Sequence, residues 1–196
     1  MSEIFFYHLV PQDFQGKNIM PLNDMKQGMS DLFLDKSQKY NGREWILNRK
    51  IDVLDCLWND VVHMCAVDPA VLKSTMREQG LIKVSRTKQK YFKIPLSKLN
   101  MDKLCIFYIN EESYDLVDVI TDENVKDLRG TIEPYETFEL FDISKNAFYG
   151  TINILTKKYF NFVSRSANKN FMPYQFVPHV LYKGDIDIRG LGIVEL

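Results

Sequence analysis

Three histidines, His8, His63 and His179, are the side chains of this chain best suited to proton transfer near neutral pH. Each falls in or beside an apolar stretch: His8 within residues 4–10, His63 within 61–67, and His179 directly after Pro178. They are far apart in sequence, yet all lie on predicted strands, and strands can bring distant residues to one end of a sheet. The alternative is three structural imidazoles, each hydrogen-bonded on its own. Cysteine chemistry would need a thiolate with a histidine beside it. Cys56, Cys65 and Cys105 all sit in apolar stretches, where a thiol packs as a small hydrophobe.

Metal-ligand spacing is poor. Only His63 and Cys65 share a face at short range, and no Cys-x-x-Cys or His-x-x-x-His pair occurs, so no metal site is expected. The patterns G-x-S-x-G, G-x-x-x-x-G-K-[ST] and G-x-G-x-x-G are also missing, which disfavours elbow-type hydrolases, P-loop enzymes and the common dinucleotide fold. Trp58-Asn59-Asp60 stands between strong strand formers. Asn59 and Asp60 either close an Asx turn or line a pocket in which Trp58 is a stacking platform. Residues 83–93 carry Lys83, Arg86, Lys88, Lys90 and Lys93 with no acid, and Tyr91 and Phe92 are interleaved. Cations beside rings suit nucleic acid, with Arg86, Lys88 and Lys90 on phosphates and Tyr91 against a base. A solvated hairpin tip explains the same run.

The elements that must position these groups read as follows. An apolar strand over 4–10 is closed by Pro11, which cannot donate to a sheet ladder. Helical spacing over 25–40 follows Asn23 as N-cap, with Gly28 a weak point, and a short helix is expected over 43–50. A turn at Asn59-Asp60 feeds a strand over 61–67. Asp68-Pro69 is a strong helix start, and Gly80 suits the left-handed residue that ends it. Strands are expected over 91–94 and 104–109, a helical turn over 95–100, and a strand with a short helix over 114–128. The stretch 134–163 fits strand or helix, and two late strands are expected over 175–182 and 185–195. Strands and helices without regular alternation predict an α+β domain over residues 1–196, a mixed central sheet flanked by helices.

Composition sets the outer bounds. The chain has 196 residues, 45% of them apolar and 13% aromatic, enough for a sizeable core. Its 25 basic and 26 acidic side chains leave a net charge of −1, which disfavours a nucleic-acid coat and leaves room for a local patch. The N-terminal residues have no basic-then-apolar signal pattern, no membrane-length apolar run occurs, and three unpaired cysteines fit a reducing compartment. A cytoplasmic protein without a membrane span is expected.

Several of these pieces line up with one family. Tyr7-His8 on the opening strand resembles ADP-ribosyltransferase-like folds. So do residues 60–64 followed by Val67-Asp68-Pro69, and the run 91–99. The ending 178–186 is similar to the last strands of DNA-targeting ADP-ribosyltransferase toxins. The resemblance implies NAD as co-substrate and a nucleic acid or protein as acceptor. His8 would hold the nicotinamide ribose, Trp58 or Tyr7 would stack on a ring, and His63 and His179 would stand near the reacting carbon. Two departures matter. Leu9 and Val10 follow His8 where the toxins place a threonine nearby, and His179 stands where the family has a catalytic glutamate. A neutral imidazole cannot supply the negative charge that steadies a developing ribosyl cation. The sequence thus supports two function classes: an NAD-dependent transferase, or a non-catalytic module on the same scaffold that binds through residues 83–93.

Overall fold

The architecture follows from which strands find partners. The computed structural model describes residues 3–12, 14–42, 44–83, 88–108, 131–134, 152, 154–165, 173–174 and 176–196. Its main sheet is built from β1 (Phe5–Leu9), β5 (Val61–Cys65), β6 (Lys90–Pro95), β7 (Leu104–Tyr108), β8 (Thr131–Pro134), β9 (His179–Lys183) and β11 (Gly192–Glu195). The order across the sheet is β11-β6-β1-β5-β9-β7-β8, and each of these pairings is antiparallel. The sheet is therefore antiparallel where a mixed one was expected; periodicity specifies a strand's buried faces and is silent on its direction. Two small pairs accompany it. In one, β2 (Asn18–Ile19) joins β10 (Ile186–Asp187); in the other, β3 (Lys50–Ile51) joins β4 (Cys56–Leu57).

Three α-helices are described: α1 (Ser30–Ser37), α2 (Pro69–Glu78) and α3 (Ile154–Arg165). In α2 the local signals all agree. Asp68 accepts from the Ala70 amide at 2.8 Å, Pro69 opens the first turn, and Gly80 follows at φ +70°. The helix expected from Asn23 is broken instead. A 3-10 turn occupies Asn23–Gln27, Gly28 interrupts, and α1 then runs into a second 3-10 turn at Gln38–Tyr40. Asn23 does not cap, because its side chain donates to Asp60 at 2.6 Å and its backbone amide to the Asn59 carbonyl. The expected helix over 43–50 is a 3-10 turn, Glu44–Asn48. Residues 114–128 lie outside the described residues.

The late strand expected over 185–195 is two strands. Asp187 accepts from the Arg189 amide at 2.9 Å and Gly190 takes φ +73°. That turn sends β10 to β2 and β11 to β6. Only a residue that tolerates the left-handed region turns the chain so sharply there.

The inner strands of the sheet are buried on both faces, whereas the edge strand β11 is largely exposed. Cys65, Cys105, Phe107 and Leu181 meet Leu72 and Met76 of α2 and Tyr159 and Phe160 of α3 on one side, here termed the helix face. Phe6, Val62, Met64, Phe92, Ile94, Ile106 and Val180 pack with Ile19, Leu99 and Ile186 on the other. Among the described residues no helix is long and apolar enough to cross a membrane.

Candidate functional site

One seam in the sheet differs from the rest. β1 shares five registered pairs with β6 and only one, Tyr7 with Cys65, with β5. Beyond Tyr7 the two strands part, and the His8 side chain takes over where the ladder stops. Its Nδ1 lies 2.9 Å from the His63 carbonyl oxygen. A carbonyl only accepts, so Nδ1–H donates. Leu9, which would be registered with His63 if the ladder continued, is 46% exposed.

The other two histidines belong to the helix face, since His63 and Leu181 are registered partners, as are Cys65 and His179, and His179 and Phe107. His63 Nε2 donates to the Trp58 carbonyl at 2.9 Å, and its ring lies 4.7 Å from the Trp58 ring. His179 Nε2 donates to the Tyr174 carbonyl at 3.2 Å, with Phe107 at 6.1 Å. Phe107 meets Trp58 edge-on at 5.2 Å, closing a chain of rings His63–Trp58–Phe107–His179. Strand alternation puts His8, registered with Phe92, on the opposite face. Two imidazoles therefore share a wall, the third reaches in from the seam, and each donates to a different backbone carbonyl.

Electrostatics separates them further. His179 keeps some surface as a residue, but its ring is desolvated, and that burial pushes its pKa down to about 4 against the opposing pull of the Tyr174 carbonyl. It is neutral at physiological pH. The thiols are poor nucleophiles: burial drives Cys65 and Cys105 up to about 12 and raises Cys56 as well. Among the described residues no group of three or more His, Cys, Asp or Glu is arranged to hold a metal ion.

The expected cofactor residues take varied positions. Tyr7 donates from its hydroxyl to Asp68 Oδ2 at 3.2 Å, and burial, then Asp68, push the phenol to about 12. Trp58 is half-buried in the ring chain. Asp60 is spent on the turn, its Oδ2 accepting from the Leu57 amide at 2.7 Å and its Oδ1 from Asn23. Asn59 is buried with its Oδ1 unpartnered among the described residues. The turn reading of Asn59-Asp60 thus describes Asp60 better than the pocket reading.

At the basic run, Lys88 and Lys90 are exposed and share one carboxylate, Glu195, at 2.9 and 3.8 Å. Tyr91 cannot offer a ring face to a base: it is 3% exposed, and its hydroxyl bonds Tyr174 at 3.1 Å and Gln89 at 3.0 Å. Alternation along β6 turns this ring into the core rather than beside the lysines. Arg86 lies outside the described residues.

Arg49 and Phe107 were not among the residues expected here. The Arg49 guanidinium lies 4.9 Å from both the Trp58 and Phe107 rings, a cation held between two aromatic faces. Phe107 was legible only as part of an apolar strand, and nothing near Arg49 in sequence points to this contact. No protein-family model, curated protein or solved structure matches the chain.

Proposed function

We propose that this chain is built on an ADP-ribosyltransferase-like scaffold and binds NAD at the seam between β1 and β5, without catalysing transfer of ADP-ribose. The observation that carries the reading is the ladder that stops after Tyr7, with His8 spanning the gap to His63. A backbone gap between paired half-sheets is where a ligand can reach main-chain polar groups that elsewhere satisfy each other. The bond from Nδ1 to the His63 carbonyl holds the imidazole at the seam, beside the place proposed for the ribose. The Trp58 ring, packed by His63 and by the Arg49 guanidinium, has no open face for a planar ring, so the reading rests on His8 and the seam.

NAD would bring a glycosidic bond whose cleavage leaves positive charge on the ribose. His179, neutral and donating to the Tyr174 carbonyl, supplies no negative charge there. In this reading His8 binds and orients, and His179 does not drive the departure of nicotinamide.

Calorimetric titration with NAD at millimolar concentration tests it. Saturable heat is expected in the parent chain, lost in His8→Ala and kept in Lys88→Ala, with no nicotinamide released above background. Absence of both heat and a thermal shift overturns NAD binding; nicotinamide release that depends on His179 overturns the non-catalytic part.

A further inference from the structure

A depression of about 360 Å³ runs along α3, lined by Lys158, Asn161, Phe162 and Arg165. These positions are spaced i, i+3, i+4 and i+7, so they form one stripe of the helix. A different stripe of α3 faces the core: Thr156, Tyr159 and Phe160 are buried, and Thr156 Oγ1 donates to the Phe176 carbonyl at 2.9 Å. That bond and those rings hold the helix with its cationic stripe outward. Lys158, Asn161 and Arg165 are exposed, and Phe162 is half-buried in the wall of the depression.

Among the described residues the lining combines two cations, a ring and a side-chain amide. The twelve residues of α3 include Lys157, Lys158 and Arg165 and no carboxylate, in a chain whose net charge is −1. Lys158 and Arg165 stand about 10 Å apart along the helix axis. Between them lie a ring and a side-chain amide. Two cations separated by a ring match the backbone of a single strand, with phosphates on either side of a base that stacks on the ring. The amide of Asn161 carries both a donor and an acceptor for the edge of that base. A duplex does not fit this arrangement, because its bases are stacked on one another and cannot turn a face to a recessed ring. An acidic peptide would satisfy the cations and leave the ring and amide unused.

We propose that α3 is a binding site for single-stranded nucleic acid, with Phe162 stacking on one base and Lys158 and Arg165 neutralising the phosphates around it. The site differs from the basic run at 83–93, which has cations but keeps Tyr91 in the core. It is also independent of NAD binding at the seam, since none of these lining residues among the described ones belongs to β1 or β5.

The test is fluorescence anisotropy of a labelled twelve-nucleotide oligothymidine with the full chain at low and moderate salt. Phe162→Leu, which keeps apolar volume in the wall and removes the stacking face, is expected to weaken binding roughly 10-fold at both salts. Arg165→Gln, on an exposed site, is expected to make the log–log salt dependence shallower by about 0.7. Lys88→Ala with Lys90→Ala is expected to leave affinity unchanged, and thermal melts of all variants to match the parent. The proposal is overturned by Phe162→Leu binding like the parent, by no saturable binding at low salt, or by equal competition from the matching duplex. Equal competition from polyglutamate also overturns it and points to an acidic protein surface instead.

Discussion

His179 is the residue whose environment has the clearest thermodynamic consequence. Its folded-state pKa of about 4 lies below the ordinary 6.5 of an unfolded histidine, so the fold favours the neutral ring. The stability this contributes is present above pH 6.5 and is lost as pH falls from there toward 4, because the unfolded chain takes up the proton first. A stability–pH curve from urea unfolding should fall over that window by on the order of 1 kcal/mol per pH unit from this group. His179→Gln should flatten the fall; an unchanged slope would show that the ring is hydrated. His8 makes a different contribution. Removing its ring leaves the His63 carbonyl without its imidazole donor, so His8→Ala should cost about 1–2 kcal/mol in the same assay. His8→Asn, which returns a donor of similar reach, should recover part of that loss.

At the scale of elements, α2 and α1 show what local signals can and cannot do. Asp68 serves α2 twice, accepting from the Ala70 amide through Oδ1 and from the Tyr7 hydroxyl through Oδ2. Asp68→Ala should therefore cost more than an ordinary cap, about 2 kcal/mol against the usual ~1. Combining it with Tyr7→Phe should be less than additive, as a double-mutant cycle by denaturant unfolding would read. α1 lacks such a device. Its N-cap, Met29, makes no side-chain bond, and Leu32 and Leu34 stay exposed at 39% and 60%. The residue able to cap, Asn23, is engaged by Asp60 across 37 positions of sequence. A local rule lost there to a tertiary hydrogen bond.

The whole molecule must hold together across the seam. Backbone pairing does little of this, since β1 and β5 share one registered pair. Side-chain packing does the rest: Phe6, Phe92 and Ile94 from one half lie in the same cluster as Val62, Met64 and Val180 from the other. Phe6 is fully buried, so Phe6→Ala should destabilise by about 3–5 kcal/mol. Unfolding followed by far-UV circular dichroism and by tryptophan fluorescence should remain one coincident transition. Two separated transitions would mean that the half-sheets fold independently and that the seam is a domain boundary.

Much of this was legible in the residues. Val61–Cys65 and Leu104–Tyr108 are mostly apolar or β-branched runs buried on both faces, and such runs announce strands. Asp68-Pro69 and Gly80 bound α2 through chemistry that acts within a few positions. The inert thiols were readable too, because apolar neighbours in sequence became apolar neighbours in space. What the linear order could not express was pairing. Whether Tyr91 met solvent or core depended on which way β6 turned its alternate residues. Whether three imidazoles met depended on a register placing Cys65 beside His179 and His8 on the far face. Arg49 found Trp58 and Phe107 through contacts between residues distant along the chain. Covalent neighbours determine periodicity, caps and turns; the burial of apolar surface among distant segments determines which side chains become neighbours at all.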